Sequence, residues 1–184
     1  ELSDPKVRRA MYLALNRQAL REVFRTQETI AVSRWVSPAS PFAMPAEEIL
    51  QIPGYRDDKE ADIEEAKSLL AEAGFADGIS GLELLSASVA PHAEIMAPAV
   101  QDMLKSTLNI DTTIRVVERS LLVEEESKGN FDLVLDTPTI AVSDISSIGN
   151  LYFKTGGSQN FGKFSSPEFD ALLEAADQEL DPEK

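Results

Sequence analysis

Thirty-two aspartates and glutamates, a single histidine and no cysteine define the chemistry open to this 184-residue chain. Without a thiol there are no disulfides, thiolate metal sites or cysteine nucleophiles, although the compartment stays open. His92 has no second base to pair with. The chain carries no G-x-S-x-G elbow, no H-E-x-x-H and no GxxxxGK[ST] phosphate loop. One imidazole among scattered carboxylates makes no transition-metal site, and His92 reads as a surface residue at a helix start. Glu124, Glu125 and Glu126 are contiguous, so their side chains fan around a helix and cannot converge on a cation, and they are expected to be solvated. Acid pairs abound by number alone, so their count identifies no acid–base dyad. The expectation is a non-enzyme with no metal and no cofactor. The side chains left for holding a ligand non-covalently are Asp136 and Asp144, which follow an apolar run, and Arg34 with Trp35 in a proline-rich segment.

The elements that must position them follow from periodicity. Asp4 caps a helix and Pro5 suits its first position, while Val7, Ala10, Met11, Ala14 and Leu15 recur at helical spacing. Asn16 restarts a second helix carrying Ala19, Leu20, Val23 and Phe24. Residues 26–60 are loop-rich, broken by Pro38, Pro41, Pro45 and Pro53. Asp62 and Glu65 form a capping-box pattern for a helix with Ile63, Ala66, Leu69, Leu70 and Ala73 inward and Gly74 after its end. Leu82–Ser88 reads as a strand, and His92–Leu108 as an amphipathic helix with Met96, Ala99, Val100, Met103 and Leu104 inward, ended by Asn109. Thr112, Ile114 and Val116 alternate as in a half-buried strand. Leu121–Lys128 reads as a short helix stopped by Gly129. Phe131–Leu135 reads as a strand covered on both faces. The last helix, Pro167–Leu180, is expected to face Phe169, Leu172, Leu173 and Ala176 inward.

Strand, helix, strand, helix, strand from 82 to 136 is the rhythm of a largely parallel or mixed sheet flanked by helices, an α/β fold. Such sheets take ligands beyond the carboxyl ends of their strands. Residues Asp136 to Gly149 are therefore the first place to seek a site. A net charge of −15 leaves no basic face to displace counterions from phosphates, which excludes a nucleic-acid partner. No apolar run approaches the ~20 residues of a membrane span. Helix-capping chemistry begins close behind Glu1, and the chain stops just past a helical stretch, so both ends are expected to be cut from something longer.

Five stretches carry a resemblance. Ser3–Leu20, SDPKVRRAMYLALNRQAL, resembles the DPxVRxALxxAIDRxxL segment that opens the second lobe of family 5 extracellular solute-binding proteins, the peptide/nickel receptors of ABC importers. Asn16 stands where Asp is usual. AKSLLAEAGFADG at Ala66–Gly78, QDMLKSTLNI at Gln101–Ile110, GNFDL at Gly129–Leu133 and NFGKFSSPEFDALL at Asn160–Leu173 are similar to further segments of that family, in its order.

The resemblance implies that residues 1–184 form a single domain, most of the second lobe of a two-lobed clamshell of the type II periplasmic-binding-protein kind. Members sit outside the cytoplasmic membrane, capture a ligand between lobes by hinge closure and deliver it to a permease. The implied cargo is an oligopeptide and the implied state a monomer. In peptide-binding relatives an Asp of the loop holding Ala141–Ile145 pairs with the ligand's α-ammonium, which points to Asp144. A carboxylate shielded by closure makes a strong charge-assisted hydrogen bond to such a cation. Ile145 stands where Pro is frequent, and Asp144 equally suits a helix cap. Asp136 ends its strand and either faces the cleft or satisfies local backbone. Arg34 and Trp35 would offer a peptide a guanidinium and an aromatic wall, unless Trp35 packs its loop onto the lobe. Two alternatives stand beside this: a receptor for metal chelates, haem, opines or sugar oligomers, and the sensor lobe of a transcriptional regulator.

Overall fold

The structure, a computed structural model, describes residues 1–23, 36, 40, 43–88, 92–136 and 145–178. Of the expected segments, Phe24 and residues beyond 178 lie outside these. The chain divides into two compact units: Glu1–Leu122 with Phe131–Asp136, and Val123–Asn130 with Thr137–Lys184.

The first unit is built on a parallel three-stranded sheet in the order β2-β1-β3, from β1 (Ile79–Ala87), β2 (Ile110–Val117) and β3 (Leu133–Leu135). Leu82 pairs with Thr112 and Ala87 with Val117 on one side of β1, and Leu84 pairs with Leu133 and Ser86 with Leu135 on the other. The crossover from β1 to β2 and the return crossover from β2 past β1 to β3 run in opposite directions across the sheet, so right-handed connections place their helices on opposite faces. Strand β1 accordingly feeds two clusters. Leu82 and Leu84 join the helices α1 (Pro5–Ala14), α4 (Glu60–Glu72) and α5 (Ala97–Leu108) through Val7, Leu13, Ala66, Leu70, Val100 and Leu104. Leu85 and Ala87 meet Leu122 of α6 (Arg119–Lys128) on the other face, with Val117, Phe131 and Val134. The α/β reading holds.

Local capping chemistry behaves as expected at most ends. The Asp4 carboxylate accepts the Lys6 N–H at 2.7 Å, and the Asn16 side chain accepts from Ala19 N at 3.0 Å to start α2 (Arg17–Val23). At the end of α4, Phe75 N donates to Leu70 O and Gly74 N to Ala71 O, with Gly74 at φ 88°, the reciprocal pair of a Schellman end. Asn109 closes α5 at φ 53° and donates to Asp77 O at 2.5 Å. A π-helical turn, His92–Met96, precedes α5.

Asp62 corrects the capping expectation. Lys59 occupies the cap position of α4, and Asp62 lies within the first turn, fully buried. It accepts from Gly54 N at 2.8 Å, Lys59 Nζ at 2.7 Å and Arg56 Nη1 at 3.1 Å. Burial pushes its carboxyl upward. The hydrogen bonds from Lys59 and Gly54, with the charges of Lys59 and Arg56, outweigh that and hold it below the usual 3.8. The tertiary partners outcompete a local cap because three donors converge there. Gly54 itself (φ 93°) backs onto the Tyr12 ring, and Arg17 reaches its carbonyl at 2.6 Å.

Four further expectations are corrected. Val116 does not follow Thr112 and Ile114 inward but is 47% exposed, while Val117 beside it packs on the cluster of Leu85, Ala87 and Leu122. Strand β3 is confined to Leu133–Leu135, and its three residues are half-buried rather than covered on both faces. Glu126 is buried, not solvated, although Glu124 is exposed and engages Lys128 one turn on, in the second unit. In α8 (Pro167–Gln178) Leu173 is buried against Gly149, but Leu172 is 63% exposed and Ala176 is exposed, so the inward stripe is narrower than its periodicity.

The second unit also contains α7 (Ile145–Ile148) and a π-helical turn, Gly149–Phe153. Asn160 knits its loop: Nδ2 donates to Lys154 O and Phe164 O, and Oδ1 accepts from Phe164 N. Phe169 of α8 meets Phe153 and Phe164 edge-on at 6.2 and 6.0 Å between ring centres. The two short helices α2 and α3 (Ala46–Ile49) complete the elements among the described residues.

Candidate functional site

Parallel pairing brings the carboxyl ends of β1, β2 and β3 to one edge of the first unit, at Ala87, Val117 and Leu135. Chain direction leaves β1 toward β2 on one side and reaches β3 on the other, so the switch point of this sheet lies at that edge. The ladder continues one residue past β1, where Ser88 N donates to Val117 O at 2.7 Å.

Asp136 is the first residue beyond β3, at this rim, with its side chain 20% exposed. Its Oδ1 accepts a hydrogen bond from Nη1 of Arg119, the first residue of α6 after β2. The pair thus joins the segments that leave the two strands flanking β1. An ion pair as accessible as this contributes little to stability, roughly 0–1 kcal/mol. Its chemical consequence is larger: Asp136 arrives at the rim with its charge compensated, so a ligand cation competes with Arg119 for it.

Arg119 is the rim residue that sequence reasoning missed. The signal was present, since a basic residue directly after the alternating β2 stretch obeys the same strand-end rule that selected Asp136. Val116 and Leu121, 47% and 40% exposed, add apolar surface next to it in sequence. The rim of the first unit therefore carries an ion pair, with exposed aliphatic side chains close to it in sequence.

Asp144, Arg34 and Trp35 lie outside the described residues. The described chain resumes with α7 at Ile145. His92 opens the π-helical turn before α5. Among the described residues no three His, Cys, Asp or Glu side chains gather in a way that could hold a metal ion. No described helix is long and apolar enough to cross a membrane.

Comparison with known proteins adds the following. The family model of bacterial extracellular solute-binding proteins, family 5 Middle, matches residues 1–160. The chain is 28% identical over 183 residues to the probable deoxycholate-binding periplasmic protein YgiS of Escherichia coli K12, covering 99% of this chain and 33% of that protein. It is 26% identical over 172 residues to the periplasmic oligopeptide-binding protein OppA of Salmonella typhimurium LT2, covering 93% and 31%. Among solved structures, the murein tripeptide binding protein MppA of Escherichia coli superposes with a TM-score of 0.78 at 23% identity, over 97% of this chain and 34% of that one. The oligopeptide-binding protein AppA of Bacillus subtilis, in complex with a nonapeptide, gives 0.74 at 24%, over 98% and 37%. The fold is the type II periplasmic-binding-protein lobe. The chain spans about a third of the length of the curated relatives it matches.

Proposed function

The chain belongs to the bacterial extracellular solute-binding proteins, family 5, and on that premise we propose that it captures oligopeptides for an ABC importer. Residues 1–184 supply most of the second lobe, both units together forming one domain of a longer receptor. The partner lobe comes from sequence outside this stretch. Ligand is held between lobes, and closure is favoured because contacts from both walls are complete only in the closed state. The protein acts outside the cytoplasmic membrane as a monomer, hands its cargo to a membrane permease, and catalyses nothing.

The observation that carries this reading is the family match over 160 of the 184 residues, together with a relative named for oligopeptide binding. The strand-end rim supports it chemically. Asp144 receives the peptide ammonium, with Arg34 and Trp35 contributing a guanidinium and an aromatic wall. Asp136 acts at the strand-end rim of the first unit, poised by Arg119.

A second reading is favoured by the likeness to a protein named as probably deoxycholate-binding. There the cargo is a largely apolar, non-peptide acid, for which Val116 and Leu121 suit the rim better than a carboxylate. The test is mass spectrometry of solutes released from the full-length receptor after gentle purification. Peptides of mixed sequence support the first reading. A single defined steroid or other non-peptide supports the second and overturns the first.

A further inference from the structure

Acid dominates this chain, and acid sets what its strand-end rim would otherwise hold. With a net charge of −15 the overall field draws cations, and Asp136, directly after β3, places a carboxylate at the rim. Unaccompanied, that carboxylate would be a ready seat for a cationic group. Arg119 fills it, because its Nη1 donates to Asp136 Oδ1. The two side chains are not equally open. Asp136 is 20% exposed and Arg119 46%, so a solute arriving from solvent meets mainly the guanidinium.

Helix stability does not account for an arginine here. Arg119 is the first residue of α6, where the positive end of a helix dipole favours an acid and opposes a cation. Nor does the ion pair stabilise the fold much, since both partners keep contact with water. A guanidinium carries five N–H donors in a planar fork that matches carboxylate geometry, so one arginine can bridge two carboxylates. The chain's net charge repels an anion only weakly at this spot, because exposed charges are screened beyond about 8 Å in physiological salt. At contact distance the guanidinium decides.

We propose that Arg119 is a specificity-determining residue, which turns the rim from a cation site into one that prefers an anionic group on the cargo. It acts in two ways. By occupying Asp136 it obliges a lysine side chain on the cargo to displace a guanidinium before it can bind, the repulsive half of specificity. By facing solvent it offers a charge-assisted hydrogen bond to a carboxylate on the cargo, with Asp136 as the positioning residue. The preferred cargo is a solute with an acidic side group, in the first instance an acidic peptide. The inference rests on the reading of the chain as part of a peptide-capturing receptor and adds the charge of what is captured.

The full-length protein is titrated by calorimetry with alanine pentapeptides carrying a single glutamate, glutamine or lysine, placed at each position in turn. At one position or more the glutamate peptide is expected to bind about tenfold tighter than its glutamine counterpart, and the lysine peptide more weakly than either. That comparison needs no variant. Arg119→Gln is expected to abolish the glutamate preference and to raise the lysine peptide above the glutamine one, and Arg119→Lys to keep the parental order. A merely structural loss would weaken all three peptides alike, so the order is the readout. Glutamate and glutamine peptides that bind equally at every position, or an order unchanged by Arg119→Gln, overturn the proposal and leave peptide capture intact. Should no pentapeptide bind, peptide capture fails instead, and deoxycholate against its neutral carboxamide decides. Tighter binding of the acid, lost in Arg119→Gln, supports the role of Arg119; equal affinity, or none for either, overturns it.

Discussion

Asp62→Ala is expected to destabilise the chain by about 3 kcal/mol. The carboxylate is fully buried and accepts three hydrogen bonds, from Gly54 N at 2.8 Å, Lys59 Nζ at 2.7 Å and Arg56 Nη1 at 3.1 Å. Removing it strands the Gly54 N–H, and an unsatisfied buried donor costs roughly 1–3 kcal/mol. It also leaves the Lys59 ammonium, 8% exposed, without its partner. Breaking a buried ion pair from one side costs about 3–5 kcal/mol. The Arg56 side chain, 35% exposed, turns to water at little cost, so the total falls at the low end. Asp62→Asn keeps an acceptor for Gly54 but not the charge, and is expected to cost about 2 kcal/mol.

Urea unfolding followed by circular dichroism measures both. The pH dependence checks the cause. The folded carboxyl is held below the usual 3.8, so its contribution is complete above that value and is lost as pH falls through the depressed one. The gap between the native chain and Asp62→Asn is therefore full at neutral pH and narrows on acidification below 3.8. Two variants within about 0.5 kcal/mol of the parent, or a gap that widens in acid, would refute the reasoning.

Three other perturbations follow from the same structure. Gly78 sits at φ 100°, and a Cβ there would lie 2.1 Å from the Asn109 carbonyl oxygen, so Gly78→Ala is expected to lose at least about 2 kcal/mol in urea unfolding. Gly129, at φ 72° with nothing within 4 Å, should lose only the left-handed strain on Gly129→Ala, about 1–2 kcal/mol. Asp4→Ala removes the acceptor of the Lys6 N–H and is expected to cost about 1 kcal/mol, read as a lower unfolding midpoint. In the full-length protein, Asp144→Ala should weaken peptide binding by calorimetry about tenfold to a hundredfold, as expected for a lost hydrogen bond to a charged group. Unchanged peptide affinity would remove Asp144 from the site.

What was legible in the sequence was the local chemistry. Asp4, Asn16, Gly74 and Asn109 each act on backbone within a few residues, so their roles survive whatever packs around them. The order of strands and helices was equally legible, because β1, β2, α4 and α5 carry clear periods. Reading failed where groups outside the local motif decide. Asp62 matched a capping box, but Gly54, Arg56 and Lys59 drew it into the interior. Glu126 looked solvated as one of three contiguous acids, yet a helix turns about 100° per residue and presented it inward. Leu172 and Val116 obeyed their periods and still stayed exposed, because a period marks a face and not what covers it. At the strand-end rim, strand-end logic picked out Asp136, which the structure places directly after β3, but overlooked Arg119, whose partner comes from 17 residues further along the chain.

The most direct measurement is a crystal structure of the full-length protein with a bound oligopeptide. The account predicts the peptide ammonium within hydrogen-bond reach of Asp144, at the edge formed by the carboxyl ends of β1, β2 and β3. A peptide seated elsewhere, with that edge facing solvent, would contradict it.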